Sequence, residues 1–156
     1  PYIKQFFAGG PSSIRAWRVR TLGPGSFDGS TTTSRFIDQT ADINLEGNIE
    51  YRFKIFKVMK GALFLDAGNI WLIHDDTTRP GAVFDKKTFL SEIAIAGGFG
   101  LRFDFGFFIL RLDVATPLRD PALPVDERWR FKAIDITKSR WKKENLIFNL
   151  AIGYPF

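Results

Sequence analysis

Long stretches of alternating apolar and polar residues are the feature that most constrains the fold of this chain. In residues 45–56, LEGNIEYRFKIF, the apolar side chains fall on one face of an extended strand and the charged and amide side chains on the other. The same period of two recurs in residues 62–71, 92–105, 106–117 and 145–156. Because successive side chains of a β-strand point to opposite faces, this pattern predicts an all-β fold with about five antiparallel strands.

The connections between the predicted strands alternate between short and long. Residues 57–61 and the position around Gly106 read as short turns, whereas residues 72–91 and 118–144 read as long polar loops, the first with a helical turn over residues 85–90. The strands are also longer than the ~5–6 residues usual in globular proteins. Long strands joined alternately by tight turns and long loops are typical of transmembrane β-barrels.

The two faces of the predicted strands differ as the two sides of a barrel wall do. One is almost purely aliphatic and aromatic, and the other mixes Gly, Ala, Asn and charges of both signs, as a wet lumen would. Tyr51, Trp71 and Tyr154 lie near strand ends or on the apolar face, where an interfacial aromatic girdle is expected. Because even small barrels need ~8 strands, we expect the chain to be the C-terminal part of a larger wall. Its abrupt start at Pro1, in loop-like sequence, likewise suggests a fragment or a processed segment.

Composition and motifs argue against an enzyme. The chain has no cysteine and a single histidine, which excludes thiolate and multi-histidine metal sites. No hydrolase triad or phosphate-binding loop is present, so we expect no catalytic residues, no metal and no cofactor. Asp104 and Asp113 share polar faces with Arg102 and Arg111, and lumen ion pairs explain them better than acid–base catalysis does.

Two functional interpretations of a barrel remain open from the residues themselves. The net charge of +5 and the many aromatic residues also fit a basic nucleic-acid-binding β-barrel. That fold would place its stacking aromatic residues beside Lys and Arg, whereas here the phenylalanines lie mostly opposite the charges. A passive diffusion porin would have a comparable wall, but it gives no reason for Arg15 to be flanked by the apolar residues Ile14 and Trp17 in a loop rich in turn residues.

Four motifs, in order along the chain, resemble the BamA-type family of outer-membrane assembly and translocation barrels. Ile14-Arg15-Ala16-Trp17 resembles the Val-Arg-Gly-Phe/Tyr signature of the family's sixth outer loop, with Ala16 in place of the usual glycine. An alanine would be strained there if the position needs a positive φ. Residues 64–68, Phe-Leu-Asp-Ala-Gly, match the Phe-x-Asp-x-Gly motif of the thirteenth strand, and residues 48–53 resemble the strand before it. The final Phe156 resembles the C-terminal targeting signal of outer-membrane barrels.

The resemblance implies a division of the chain and a latch within it. Residues 1–43 would be a long outer loop that folds into the barrel lumen, and residues 44–156 the last five strands with two long outer loops. Arg15 would reach Asp66 and Glu50 on the inner wall. Further site residues implied by the resemblance are the loop anchors Ile14 and Trp17, the strand-motif residues Phe64 and Gly68, and a C-terminal seam and targeting signal made of Gly153, Tyr154, Pro155 and Phe156.

The function implied is the assembly, insertion or translocation of other proteins at the outer membrane of a Gram-negative-type cell envelope. In this family the first and last strands pair weakly, and an incoming strand can add to the opened seam by β-augmentation. The partners implied are outer-membrane lipids, client outer-membrane or secreted proteins, the upstream part of the same barrel and accessory assembly subunits. No nucleic acid is expected as a partner.

Overall fold

One five-stranded antiparallel sheet dominates the fold. The computed structural model describes residues 5–29, 39–131 and 145–153. The strands lie side by side in chain order and are β1 (Ile43–Lys54), β2 (Met59–Trp71), β3 (Ala94–Asp104), β4 (Ile109–Arg119) and β5 (Ile147–Gly153). The prediction of an all-β fold with five antiparallel strands is therefore confirmed.

The observed turns differ from the predicted ones by a few residues. The turn predicted over residues 57–61 is wrong, because β2 begins at Met59 and pairs from Lys60 onward with β1. Gly61 is not a turn residue; it leaves space on β2 that the ring of Phe53 occupies. Gly106 does form the second turn, with φ of 86° and its N–H donating to Asp104 Oδ1 at 3.1 Å.

The two faces of the sheet have opposite environments. The outer face carries exposed apolar side chains on every strand, including Ile49, Leu63, Phe99, Leu112 and Phe148. The inner face carries the charges and is covered by residues 5–29, hereafter the folded-back segment. Exposed apolar side chains on this scale are unusual for a protein surrounded by water, and they suit a surface that contacts lipid or another apolar partner.

The buried core lies between the folded-back segment and the inner face. Ile14 and Leu22 of the segment are almost inaccessible to solvent, as are the small residues Ala94, Ala96 and Ala115 of the sheet. Small side chains on β3 and β4 let the segment approach the sheet closely. The segment contains no named strand; one isolated bridge joins Phe6 to Ala41 outside it, and another joins Ala8 to Leu22 within it.

The first long loop packs over the end of β2 and corrects one prediction. Trp71 was expected in an exposed aromatic girdle, but its side chain is fully buried, with its indole N–H donating to Glu92 Oε2 at 2.7 Å. Phe84 and Phe89 pack edge-on against it, and the predicted helical turn appears as a 3-10 helix over Phe89–Glu92. Tyr51 is exposed on the outer face, and Tyr154 lies outside the described residues. Among the described residues, no helix is long and apolar enough to span a membrane.

Candidate functional site

The centre of the inner face is a buried contact between Arg15 and Asp66. The guanidinium donates from Nε to Oδ2 at 2.9 Å and from Nη2 to Oδ1 at 2.7 Å. The backbone N–H of Arg15 donates to the same carboxylate at 3.1 Å. Arg15 is 3% exposed and Asp66 is 0% exposed. This two-pronged geometry is the strongest form of arginine–carboxylate contact, because two parallel charge-assisted hydrogen bonds fix both position and orientation.

Glu50 of β1 links Arg15 to further charges on β3 and β4. Its Oε2 accepts from Arg15 Nη1 at 2.7 Å and from Arg102 Nη2 at 2.8 Å. Arg102 also donates to Asp113, whose second oxygen lies 3.8 Å from Arg15 Nη1. We call Arg15, Glu50, Asp66, Arg102 and Asp113 the charge cluster. The family resemblance implied the first three as a latch, and the polar faces of the strands placed Arg102 and Asp113 in ion pairs without joining them to it.

Aromatic and small residues of the strands shape the space that Arg15 occupies. The guanidinium carbon lies 3.5 Å from the centre of the Phe64 ring, close enough for a cation–π interaction. Gly98 on β3 leaves room for that ring, because a Cβ at this position would collide with it. Gly68 leaves room for Ile14 in the same way. The strand-motif residues Phe64 and Gly68 therefore lie directly against the folded-back segment.

Two side-chain amides and one hydroxyl also attach the folded-back segment to the sheet. Asn48 Nδ2 donates to Ser13 O at 3.1 Å and to Asp66 Oδ1 at 2.9 Å. Asn149 of β5 donates to Arg15 O at 2.8 Å. Ser13 Oγ donates to Glu46 Oε1 at 2.8 Å. The sequence analysis did not single out these contacts as part of the site, although alternation had already placed Asn48 and Asn149 on the polar faces of their strands.

The remaining predicted loop residues take ordinary backbone conformations. Ile14 is fully buried, and Trp17 packs against the core while its carbonyl accepts from Gly10 N at 2.7 Å. Among the described residues, Arg20 is the one non-glycine residue with a positive φ. Ala16 therefore avoids the strain that its replacement of a glycine had suggested.

The predicted seam lies only partly within the described residues. Gly153 ends β5 opposite Ile109, and open space surrounds the position that a Cβ would occupy. Tyr154, Pro155 and Phe156 lie outside the described residues. Their assignment to a seam and targeting signal stays a prediction, as does the boundary between a loop of residues 1–43 and a strand region of residues 44–156.

Chemically, the site is suited to holding a segment in place. Both oxygens of Glu50 and of Asp66 already accept charge-assisted hydrogen bonds from side chains of the same site. Removing one member of such a buried set leaves a charge without its partner and is strongly destabilising, by ~3–5 kcal/mol. The arrangement can therefore fix the folded-back segment against β1 and β2.

Comparison with known protein families gives one match. The family model described as the Omp85 superfamily domain matches residues 1–133. The matched range contains the folded-back segment, β1 to β4 and the whole charge cluster, and ends before β5.

Proposed function

The chain belongs to the Omp85 superfamily, and from this premise we propose that it forms the inserted loop and the last five strands of a BamA-type outer-membrane barrel. Membership in the superfamily implies protein insertion or translocation at the outer membrane in general. The finer proposal is that this chain helps assemble or insert client proteins. The observation that carries it is the buried two-pronged contact of Arg15 with Asp66.

The contact between Arg15 and Asp66 supports the proposal because it holds the folded-back segment in one position on the inner face. A wall that only enclosed a solute pore would need no buried arginine joined to two neighbouring strands. Here the arginine, its ring platform Phe64 and its carboxylates occupy the middle of the inner face, while the outer face exposes apolar side chains. In the proposed setting the outer face contacts lipid and the inner face encloses water and the segment.

We place the client-binding step at the edge of β5. It involves no covalent chemistry and no metal or cofactor. The last described residue of β5 is Gly153, and a glycine weakens strand pairing. Pro155 beyond it lacks an amide donor. A seam that opens there would expose backbone groups to which an incoming client strand can add.

The proposed outer-membrane barrel would have four classes of partner. They are outer-membrane lipids, client outer-membrane or secreted proteins, the upstream part of the same barrel and accessory assembly subunits, in a Gram-negative-type envelope. We propose neither an enzymatic activity nor nucleic acid as a partner.

A reconstitution experiment tests this function. The full-length protein is placed in phospholipid vesicles, and the insertion of an unfolded client barrel is followed by its protection from protease. We expect faster insertion than in empty vesicles, and loss of that gain in the Arg15→Ala variant. Lys87→Ala, in an exposed loop, is the matched control and should insert clients at the rate of the unaltered protein.

The same preparations distinguish the alternatives. A porin would show solute-selective conductance that Arg15→Ala leaves unchanged, and it would give no gain in client insertion. That combination of results would contradict the proposal. Salt-sensitive binding of single-stranded nucleic acid by a protein that needs no detergent would favour the nucleic-acid-binding barrel instead.

A further inference from the structure

A row of four cations crosses the inner face at one end of the sheet. This end, hereafter the short-turn end, is where the tight connections β1–β2 and β3–β4 lie. The four residues occupy directly opposite positions in the strand register, so each is the cross-strand neighbour of the next. They are Lys54 of β1, Lys60 of β2, Arg102 of β3 and Arg111 of β4, hereafter the cationic row.

Like charges at directly opposite positions of a sheet are destabilising unless something compensates them. Among the described residues, carboxylates neutralise the positive charges of the row only in part. Lys60 lies 3.5 Å from Asp104, and Arg111 reaches Asp113 only at 3.4 Å. Lys54 has no carboxylate within ion-pair distance among the residues described. A concentration of positive charge is therefore retained here, beyond what the carboxylates of the described residues neutralise.

The charge cluster, which shares Arg102 with the row, cannot supply the missing negative charge. Arg52 and Arg111 also contact its carboxylates, and with them four guanidiniums surround three carboxylates, an excess of one positive charge. Every oxygen of Glu50, Asp66 and Asp113 already accepts a contact. Arg52 is the most accessible, with 64% of its side chain exposed and one contact, from Nε to Glu50.

The uncommitted donors open onto shared space. One cavity at the short-turn end is lined by Arg52, Lys60, Arg102, Asp104, Arg111 and Gly153, among others. Arg52 and Arg111 also line a neighbouring cavity that reaches Arg15 and Ser13 of the folded-back segment. A cationic path thus leads from the short-turn end to the latch.

We infer that the cationic row binds an acidic polypeptide segment entering the barrel interior from the short-turn end. Neighbouring strands are ~4.8 Å apart, so four cations on adjacent strands extend over about 14 Å. One phosphate or one carboxylate cannot contact both ends of such a row, whereas several carboxylates along a peptide can. Guanidiniums also match carboxylates in planar, two-pronged geometry.

This inference builds on the proposed function, because it names acidic client segments as the cargo met at the short-turn end. In transmembrane barrels the short turns face the periplasm, the side from which an unfolded client would arrive. The charge contact would attract the segment and hold it weakly, since exposed ion pairs are screened by salt.

The test uses the full-length protein in detergent micelles and a fluorescent peptide of eight glutamates followed by a short neutral tail. Its counterpart has glutamine at every glutamate position. Fluorescence anisotropy gives the dissociation constant for each peptide at low and high salt. We expect the acidic peptide to bind at least about tenfold more tightly than the neutral one, and this preference to fall as salt rises.

Three substitutions together remove three of the four cations of the row and leave Arg15 and Arg102 of the charge cluster in place: Lys54→Gln, Lys60→Gln and Arg111→Gln. We expect this variant to lose about tenfold or more in affinity for the acidic peptide. The control variant Lys86→Gln with Lys87→Gln also removes exposed positive charge, but in a long loop, and it should bind like the unaltered protein. Heat-modified mobility on gels checks that both variants remain folded.

Three results would overturn the inference: equal binding of the two peptides, unchanged affinity in the triple variant, or an equal loss in the control variant. Competition by inorganic phosphate as effective as that of the peptide would point to a single-anion site, which also contradicts a bound polypeptide segment. Client insertion is measured separately. Peptide binding without client insertion would defeat the proposed function alone, and insertion without selective binding would defeat this inference alone.

Discussion

The folded-back segment is held very differently at the two sides of the sheet. Toward β1 and β2, the Arg15 guanidinium makes charge-assisted hydrogen bonds to Asp66 and Glu50. Toward β5, within the part of the chain that the structure describes, the segment receives one neutral hydrogen bond, from Asn149 to the Arg15 carbonyl. From these contacts we expect the segment to have a fixed side at β1 and β2 and a side at β5 that separates at small cost.

This difference shows how one buried arginine can serve a barrel that must open. A charge-assisted hydrogen bond is roughly twice as strong as a neutral one, and at β5 water can replace the neutral partner. If β5 moves away, the segment keeps its position on β1 and β2. The comparison yields three predictions on stability, ordered from the largest expected effect to the smallest.

The largest loss of stability is expected when Asp66, the central carboxylate of the fixed side, is removed. Asp66→Ala leaves the Arg15 guanidinium buried without its two-pronged partner, and we expect it to lower the free energy of unfolding by about 3–5 kcal/mol. Urea unfolding of the full-length protein in micelles measures this. Asp75→Ala, in an exposed loop, should change it by less than about 0.5 kcal/mol. Equal values for the two variants would show that the latch contributes little to stability.

The close packing around Gly68 on the fixed side gives a second, purely steric prediction. At Gly68 a Cβ would collide with the carbonyl of Leu45 on β1 and would crowd the side chain of Ile14 in the segment, so Gly68→Ala should destabilise the protein by about 1–3 kcal/mol. Gly47, on β1, has nothing within 4 Å of the position a Cβ would take.

Gly47→Ala is therefore the matched control for Gly68→Ala, and it should leave the unfolding midpoint nearly unchanged. A control variant as unstable as Gly68→Ala would mean that strand glycines matter here through backbone conformation rather than through space. In that case the fit between the segment and β2 would not explain the strand motif.

Much of the sheet could be predicted because alternation is a local property. Every strand from β1 to β5 overlaps its predicted range, since one residue in two had to face the same way. The error in the first predicted turn arose at a glycine. Gly61 read as a turn residue because glycine is common in turns, yet it lies within β2 to receive the Phe53 ring. That contact joins two strands and has no signature in either one alone.

The site was harder to predict than the sheet. Resemblance to a family singled out Arg15, Glu50 and Asp66, and the structure brings their charged groups together. Periodicity could place Arg102 and Asp113 on polar faces, but their connection to Glu50 depends on the register of four strands, which alternation does not fix. Trp71 was misplaced because its burial comes from a loop that packs over it, through Phe84 and Phe89.

The smallest predicted effect is also the most informative about the separable side. Asn149→Ala removes one neutral hydrogen bond to the Arg15 carbonyl and should cost about 0.5–1.5 kcal/mol of stability. Asn44→Ala, at an exposed position of β1, is the matched control. Hydrogen exchange supplies the second readout, because amides of β5 should lose protection in Asn149→Ala while those of β2 keep theirs. Loss of protection in both strands would show that the two sides of the sheet open together, and the asymmetry proposed here would then not exist.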